Sequence, residues 1–390
     1  MKNDRTFLDK LLDGAEVKWK PLEQVIHIAN NARKPVKSSL RVAGNIPYYG
    51  ANNIQDYVEG YTHDGEFVLI AEDGSASLEN YSIQWAVGKF WTNNHVHVIC
   101  SKEELNNRFL YHYLTNMNFI PFLDGKERAK LTKAKLQQIP IPIPPLPVQT
   151  EIVRILDTLT ALTSEITSEL ILRQKQYEYY REKLLSFDSL ERLNKGWAKE
   201  KLIELSEIGS IRMCKRILKN QTSSIGDIPF YKIGTFGKEP DAYISKELFQ
   251  EYKQKYSYPK KGDILISASG TIGRTVVFDG KDAYFQDSNI VWVENDERIV
   301  LNKYLFHFYK IAKWGAAEGG TIQRLYNDNL RKVKIPVPPL EEQHRIVSIL
   351  DKFETLTNSI TEGLPLAIEQ SQKRYEYYRE LLLSFAKPDN

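Results

Sequence analysis

The residues best suited to chemistry in this chain are basic and clustered. The stretch 124–136, DGKERAKLTKAKL, sets Lys126, Arg128, Lys130, Lys133 and Lys135 close to Gly125, with Glu127 the one glutamate among them. Cations beside a glycine turn, where backbone N–H groups are also open, suit contact with phosphate. The same composition makes an ordinary solvated face, and the stretch alone leaves both readings open. In the second half, EGGTIQRLYNDNL (318–330) places Thr321, Gln323 and Arg324 in the corresponding segment. WTNNHVHVI (91–99) offers Asn93, Asn94 and His95, and the Gly/Ser loop SASGTIGR (267–274) ends in Arg274. Asn and Gln amides match adenine edges and Arg matches guanine edges, so these are candidate base contacts. Arg212, Lys215, Arg216 and Lys219 form a further basic run that either lines DNA or decorates a surface.

Catalytic patterns are missing. His95 and His97 alternate on a strand-like stretch and so are expected to share a face, but no third ligand stands at metal spacing nearby. The 267–274 loop lacks the Lys-Ser/Thr of a nucleotide-binding loop. No Ser/His/Asp or Cys/His set, dinucleotide fingerprint or Asn-Pro-Pro-Tyr type methyltransferase motif stands out, so no catalytic residue and no metal is assigned. The 53 Lys+Arg against 50 Asp+Glu give a net charge of only +3, so any basic face is local. Two cysteines, Cys100 and Cys214, one in each half, argue against a disulfide scaffold and suit a reducing cytosol. Neither a signal-type apolar start nor a membrane-length apolar run is present, so the expectation is a soluble, cytoplasmic protein.

What must position these groups is a doubled helix. PPLPVQTEIVRILD… (from Pro144 to Phe187) returns as PPLEEQHRIVSILD… (from Pro338 to Phe385). In the first copy Ile152, Leu156, Leu159, Thr163, Ile166, Leu170, Arg173, Tyr177, Tyr180 and Leu184 follow at alternating steps of four and three. That is the repeat of a left-handed coiled-coil seam. The second copy keeps it as Ile346, Leu350, Phe353, Thr357, Ile360 and Leu364, then Ile368, Ser371, Tyr375, Tyr378 and Leu382. Pro144 pairs with Pro338 at an offset of 194 residues but Tyr177 with Tyr375 at 198, so four residues are inserted. They fall near Gly363 and Pro365, which predicts a kink or short break there.

Strand-like stretches repeat as well: IPYY (46–49) as IPFY (228–231), and GEFVLIA (65–71) as GDILISA (262–268). The aromatic RFLYHYL (108–114) returns as KYLFHFY (303–309). The chain therefore reads as α+β, with two similar α/β domains separated by two long antiparallel coiled-coil helices in a pseudo-two-fold cyclic arrangement. The expected boundaries are an N-terminal helical segment (1–14), domain 1 (15–143), coiled coil 1 (144–187), domain 2 (188–337), coiled coil 2 (338–386) and a tail (387–390). DKLLDG (9–14) resembles EKLLSF (182–187), so the N-terminal helix is expected to pack where the last helix ends.

The paired segments IPIPIPPLPVQTEIVRILD (139–157) and VKIPVPPLEEQHRIVSILD (333–351), each leading into YEYYRE and LLSF, resemble the conserved regions of specificity (S, HsdS) subunits of type I restriction-modification enzymes. The opening DKLLDGAEVKWKPL resembles the type IC branch. The resemblance implies a non-catalytic subunit with two target recognition domains, each reading half of a bipartite site in double-stranded DNA. It implies as partners two methyltransferase (M, HsdM) subunits docked on the helices and restriction (R, HsdR) subunits. S-adenosylmethionine, ATP and Mg²⁺ then belong to those partners. The tandem TSEI-TSEL (163–170) resembles the repeats whose number tracks the unread spacer in type IC relatives. A protein-binding coiled-coil scaffold that reads no DNA is the alternative.

Overall fold

The computed structural model describes residues 7–125, 129–186, 202–315 and 325–386. Packing divides the chain into two units, one formed by residues up to Thr167 with those from Ala367 onward, the other by Ser168–Leu366.

In the first unit, α1 (Phe7–Leu12), β1 (Lys18–Pro21), α2 (Leu22–Val25) and β2 (Ile26–Ile28) lead into β3 (Ala43–Tyr49), β4 (Ile54–Val58), β5 (His63–Ala71), β6 (Ile83–Thr92) and β7 (Val96–Ser101). Then come α3 (Asn107–Thr115), α4 (Lys133–Gln138), β8 (Pro140–Ile143) and the start of α5 (Leu146–Leu185). A six-stranded sheet has the order β2-β7-β5-β6-β3-β4, with β3 and β6 parallel, while β1 and β8 form an antiparallel ribbon. The inner strands are the apolar runs: Val68–Ala71 is wholly buried and pairs with β7, whose Val96, Val98 and Ile99 are buried too.

In the second unit, β9 (Leu202–Glu204), α6 (Leu205–Ile208), β10 (Gly209–Arg212), β11 (Ile228–Tyr231), β12 (Tyr243–Ile244) and α7 (Lys246–Lys255) precede β13 (Ile264–Ser267), β14 (Thr275–Val277), β15 (Tyr284–Phe285) and β16 (Ile290–Asn295). They are followed by α8 (Asn302–Tyr309), α9 (Asn327–Arg331), β17 (Lys334–Pro336), α10 (Leu340–Asn358) and the start of α11 (Leu364–Leu383), which from Ala367 on belongs to the first unit. The sheets run β10-β16-β13-β14 and β12-β11-β15, with β17 paired to β9. This is the first unit's order with one change. The place of β6, between β5 and β3, is shared here by two short strands, β14 beside β13 and β15 beside β11.

The helical segments carry the seam read from the sequence. Along α5, positions 152, 156, 159, 163, 166, 170, 173, 177 and 184 are shielded, and only Tyr180 of the series is exposed. In the first unit Thr163 meets Ser371 hydroxyl to hydroxyl at 2.8 Å. Further back along α5, Ile152 and Leu156 share a core with Leu382 and Leu383, further on along α11, so these segments run antiparallel. In the second unit Tyr177 and Tyr180 stack on Phe353 at 6.1 and 5.7 Å, and Ile346 and Leu350 are buried beside Leu185. The expected break is present between α10 and α11, with Gly363 at φ +88°. One seam residue is corrected: Ile360 lies in the break and is 77% exposed, because the insertion is looped out rather than absorbed by the helix. As expected, α1 packs on the end of α11, where the Phe7 and Tyr378 rings lie 6.4 Å apart and the Trp19 indole donates to the Ala386 carbonyl at 3.0 Å.

Candidate nucleic-acid interface

In the first unit the polar candidates gather around the turn before β7. Glu72 accepts from Arg33 at 2.7 Å and pairs with Lys130 at 3.0 Å. Burial opposes ionisation of Glu72, but the Arg33 and Lys130 contacts outweigh it and hold its carboxyl below the usual range. The Lys130 ammonium is thus engaged with Glu72, and its backbone bridges to Asp73 and Asp124. Lys133 opens α4, exposed and without an ion pair among the described residues. Lys126 and Arg128 lie outside the described residues.

Two expectations change at this turn. Asn93 is buried, and its side-chain oxygen accepts from the His95 backbone N–H at 2.9 Å, so it shapes the turn rather than facing outward. His95 and His97 do not share a face, since β7 begins at Val96 and His95 belongs to the turn. His95 is exposed beside Asp73, 2.5 Å away, whereas His97 is buried between the Leu131 carbonyl at 2.7 Å and Asn30 at 3.0 Å. Among the described residues no group of three metal-ligating side chains exists. Asn94 is exposed, and its carbonyl accepts from Arg33 at 3.3 Å.

Sequence reasoning overlooked the loop that Arg33 anchors. Residues 33–37 carry Lys34 and Lys37 outward, next to a cleft of about 560 Å³ lined by Val36, Leu40, Tyr48 and Trp91. Their signal was local charge density, RKPVK, interrupted by Pro35 and followed by Ser38 and Ser39.

In the second unit, Arg274 is half-buried and donates to the Phe236 carbonyl at 3.1 Å. Its loop needs glycine: Gly270 and Gly273 have φ +68° and +80°, and a Cβ on Gly273 would overlap the Trp314 indole. Thr321, Gln323 and Arg324 lie outside the described residues. Arg212 pairs with Glu294 at 2.9 Å and Lys215 lies over the Tyr256 ring at 5.3 Å, leaving Arg216 and Lys219 exposed without an ion pair among the described residues.

Each unit also fastens its globular part to its helix in one way, which the sequence reading missed. Gln149, fully buried, accepts from the Asn106 N–H at 2.7 Å and donates to the Glu104 and Pro144 carbonyls at 3.1 and 2.8 Å. Gln343, equally buried, accepts from the Leu301 N–H at 2.9 Å and donates to the Ile299 and Pro338 carbonyls at 2.9 and 2.8 Å. About two turns of helix further, Asp157 bonds His112 and Asp351 bonds His307, each at 2.8 Å. Arg108 and Lys303 add a cation to each carboxylate. The available signal was that Gln and Asp recur at the same 194-residue offset.

A family model for the type I restriction modification DNA specificity domain matches the chain twice, over residues 15–173 and 194–370. The chain belongs to that family. It is 82% identical to a Haemophilus influenzae protein designated a type I restriction enzyme specificity subunit, over 99% of this chain and all of that one. It is 32% identical to the EcoR124I/EcoR124II specificity subunit of Escherichia coli, with 99% of both chains covered. The fold is similar to the type I S subunit from M. genitalium, with a TM-score of 0.59 at 14% identity over 96% of this chain and 98% of that one. A chain solved in work on assembly and conformational transition of the type I R-M system gives a TM-score of 0.53 at 17% identity, covering 95% and 98%. The protein is thus a specificity subunit of a type I restriction-modification system, and its two units contain the two recognition domains. No helix among the described residues is long and apolar enough to cross a membrane.

Proposed function

We propose that each recognition domain binds one half of an asymmetric, bipartite site in double-stranded DNA, and that the chain itself is non-catalytic. The observation that carries this reading is a strand order that recurs in two domains, with β6 replaced by β14 and β15 in the second, while the exposed side chains differ. Equal scaffolds with unlike surfaces suit two unlike half-sites. The helical segments dock two methyltransferase subunits, with restriction subunits joining that core in the cytoplasm of the host. S-adenosylmethionine, ATP and Mg²⁺ bind those partners. The opening DKLLDGAEVKWKPL and the tandem TSEI-TSEL favour the type IC branch.

The test is electrophoretic mobility of the chain assembled with its methyltransferase partner, after mapping modified adenines in a host carrying both. A reader retains the mapped duplex at salt that releases random DNA. Equal loss of both duplexes favours the scaffold reading instead.

A further inference from the structure

Two loops, one in each unit, are built alike although their sequences share little. In the first, residues 33–37 (RKPVK) precede a single 3₁₀ turn, Ser38–Leu40, and then β3. In the second, residues 215–219 (KRILK) run into the turn Lys219–Gln221 and then β11. Each is held by one aromatic side chain from the strand paired parallel to β3 or β11. Trp91, opposite Tyr48, donates its indole N–H to the Lys34 carbonyl at 2.6 Å. Tyr284, opposite Phe230, donates its hydroxyl to the Lys215 carbonyl at 3.1 Å.

The tether takes a backbone carbonyl and so consumes no loop side chain; Lys34, whose ammonium lies 6.0 Å from the centre of the Trp91 ring, and Lys37 remain exposed. Lys34 and Lys37 match Arg216 and Lys219 at the 182-residue offset that relates IPYY to IPFY, while the tethered carbonyls, of Lys34 and Lys215, and the starts of the two turns are 181 residues apart, so the loops correspond to within one residue. All four are exposed, and none has an ion pair among the described residues. Lys215, in the second loop, has no ion pair among the described residues either but lies over the Tyr256 ring, and other neighbouring cations differ on that point. Arg33 and Arg41 in the first unit and Arg212 in the second are paired with carboxylates.

A solvated face explains exposed cations, but not why two cations without an ion pair sit on each of two loops that are tied down alike, by an aromatic donor bonded to a main-chain carbonyl. Domains that read different words share only one feature of their target. The sugar-phosphate backbone is the same under every sequence. Long cationic side chains on a fixed loop suit that backbone as point charges, without bidentate base readout.

We propose that residues 33–37 and 215–219 are equivalent phosphate clamps, with Lys34 and Lys37 serving one recognition domain and Arg216 and Lys219 the other. The proposal rests on the DNA-binding reading above. Contacts to the backbone alone set affinity and register and leave the recognised sequence unchanged.

The test uses the full chain assembled with its methyltransferase partner, as wild type, K34A/K37A and R216A/K219A. Binding to the mapped duplex and to a random duplex is measured across a salt series. Each double variant is expected to weaken both duplexes by the same factor and to flatten the plot of log K against log salt by about 1.8, or ~0.9 per cation. Mapped adenines and melting temperature stay unchanged, and K34R/K37R keeps the wild-type slope. An unchanged slope, or loss confined to the mapped duplex, overturns the clamp while leaving the proposed function intact. A wild-type assembly that fails to prefer its own duplex overturns both.

Discussion

Asp157 holds two groups of α3 at once, the Arg108 guanidinium at 2.9 Å and the His112 imidazole at 2.8 Å. Burial raises its pKa, yet those two contacts outweigh burial and keep it below the ordinary value. His63, His97 and His112 are pushed down, chiefly by burial. For all four groups the unfolded chain binds protons at a higher pH than the folded one, so stability falls with falling pH. The loss starts below about 6.5, where unfolded histidine protonates, and continues through the carboxylate range. Melting temperature measured from pH 7 to pH 4 should fall throughout, and His112→Gln should flatten the part between 7 and 5. A pH-independent melt would contradict these assignments. Gly273 gives a sharper test: Gly273→Ala adds a Cβ at φ +80° into the Trp314 indole, a cost on the order of 1–3 kcal/mol seen as lowered thermal stability.

At the scale of elements, the period of the apolar residues made the long helices readable, because a seam repeats over ten positions and no single residue decides it. The break at Gly363 was readable for the same reason, as a disturbed period beside a helix-ending residue. Local pattern failed where one residue decides. His95 looked like a strand position because the alternation His95-Val96-His97 continues it, but the Asn93 side chain closes a turn first. Ile360 kept the period and lost the helix. Division of the strand between β13 and β11 depends on long-range pairing that no local window contains. The buried glutamines were visible only as repeated letters, since their bonds go to main chain 43 and 42 residues away. Gln149→Ala or Gln343→Ala would leave one N–H and two carbonyls without their partner. Each is expected to cost on the order of 3 kcal/mol, read by denaturant unfolding of the single variants.

For the whole molecule, the net charge of +3 conceals how its cations are used. Several of the basic residues singled out from sequence, Lys130, Arg212 and Arg274 among them, are engaged within the protein. Candidate DNA contacts therefore became legible only when paired and unpaired cations could be told apart. The tandem TSEI-TSEL, continuous within α5, adds about 6 Å of helix per tetrapeptide, against about 3.4 Å per base pair. Deleting Thr167 to Leu170 is expected to shorten the unread spacer by one or two base pairs while both half-sites stay the same. Methylated-adenine mapping checks this, and an unaltered spacer would remove the tetrapeptide from the role of ruler.

The two buried glutamines grip Asn106 and Glu104 in one domain and Leu301 and Ile299 in the other, always through main-chain atoms. A mount of that kind is indifferent to what the mounted part is made of. Substitutions can accumulate across the sheet, its rims and its outer loops without loosening the joint, so a new DNA word can be acquired while the machinery that acts on it is left as it was.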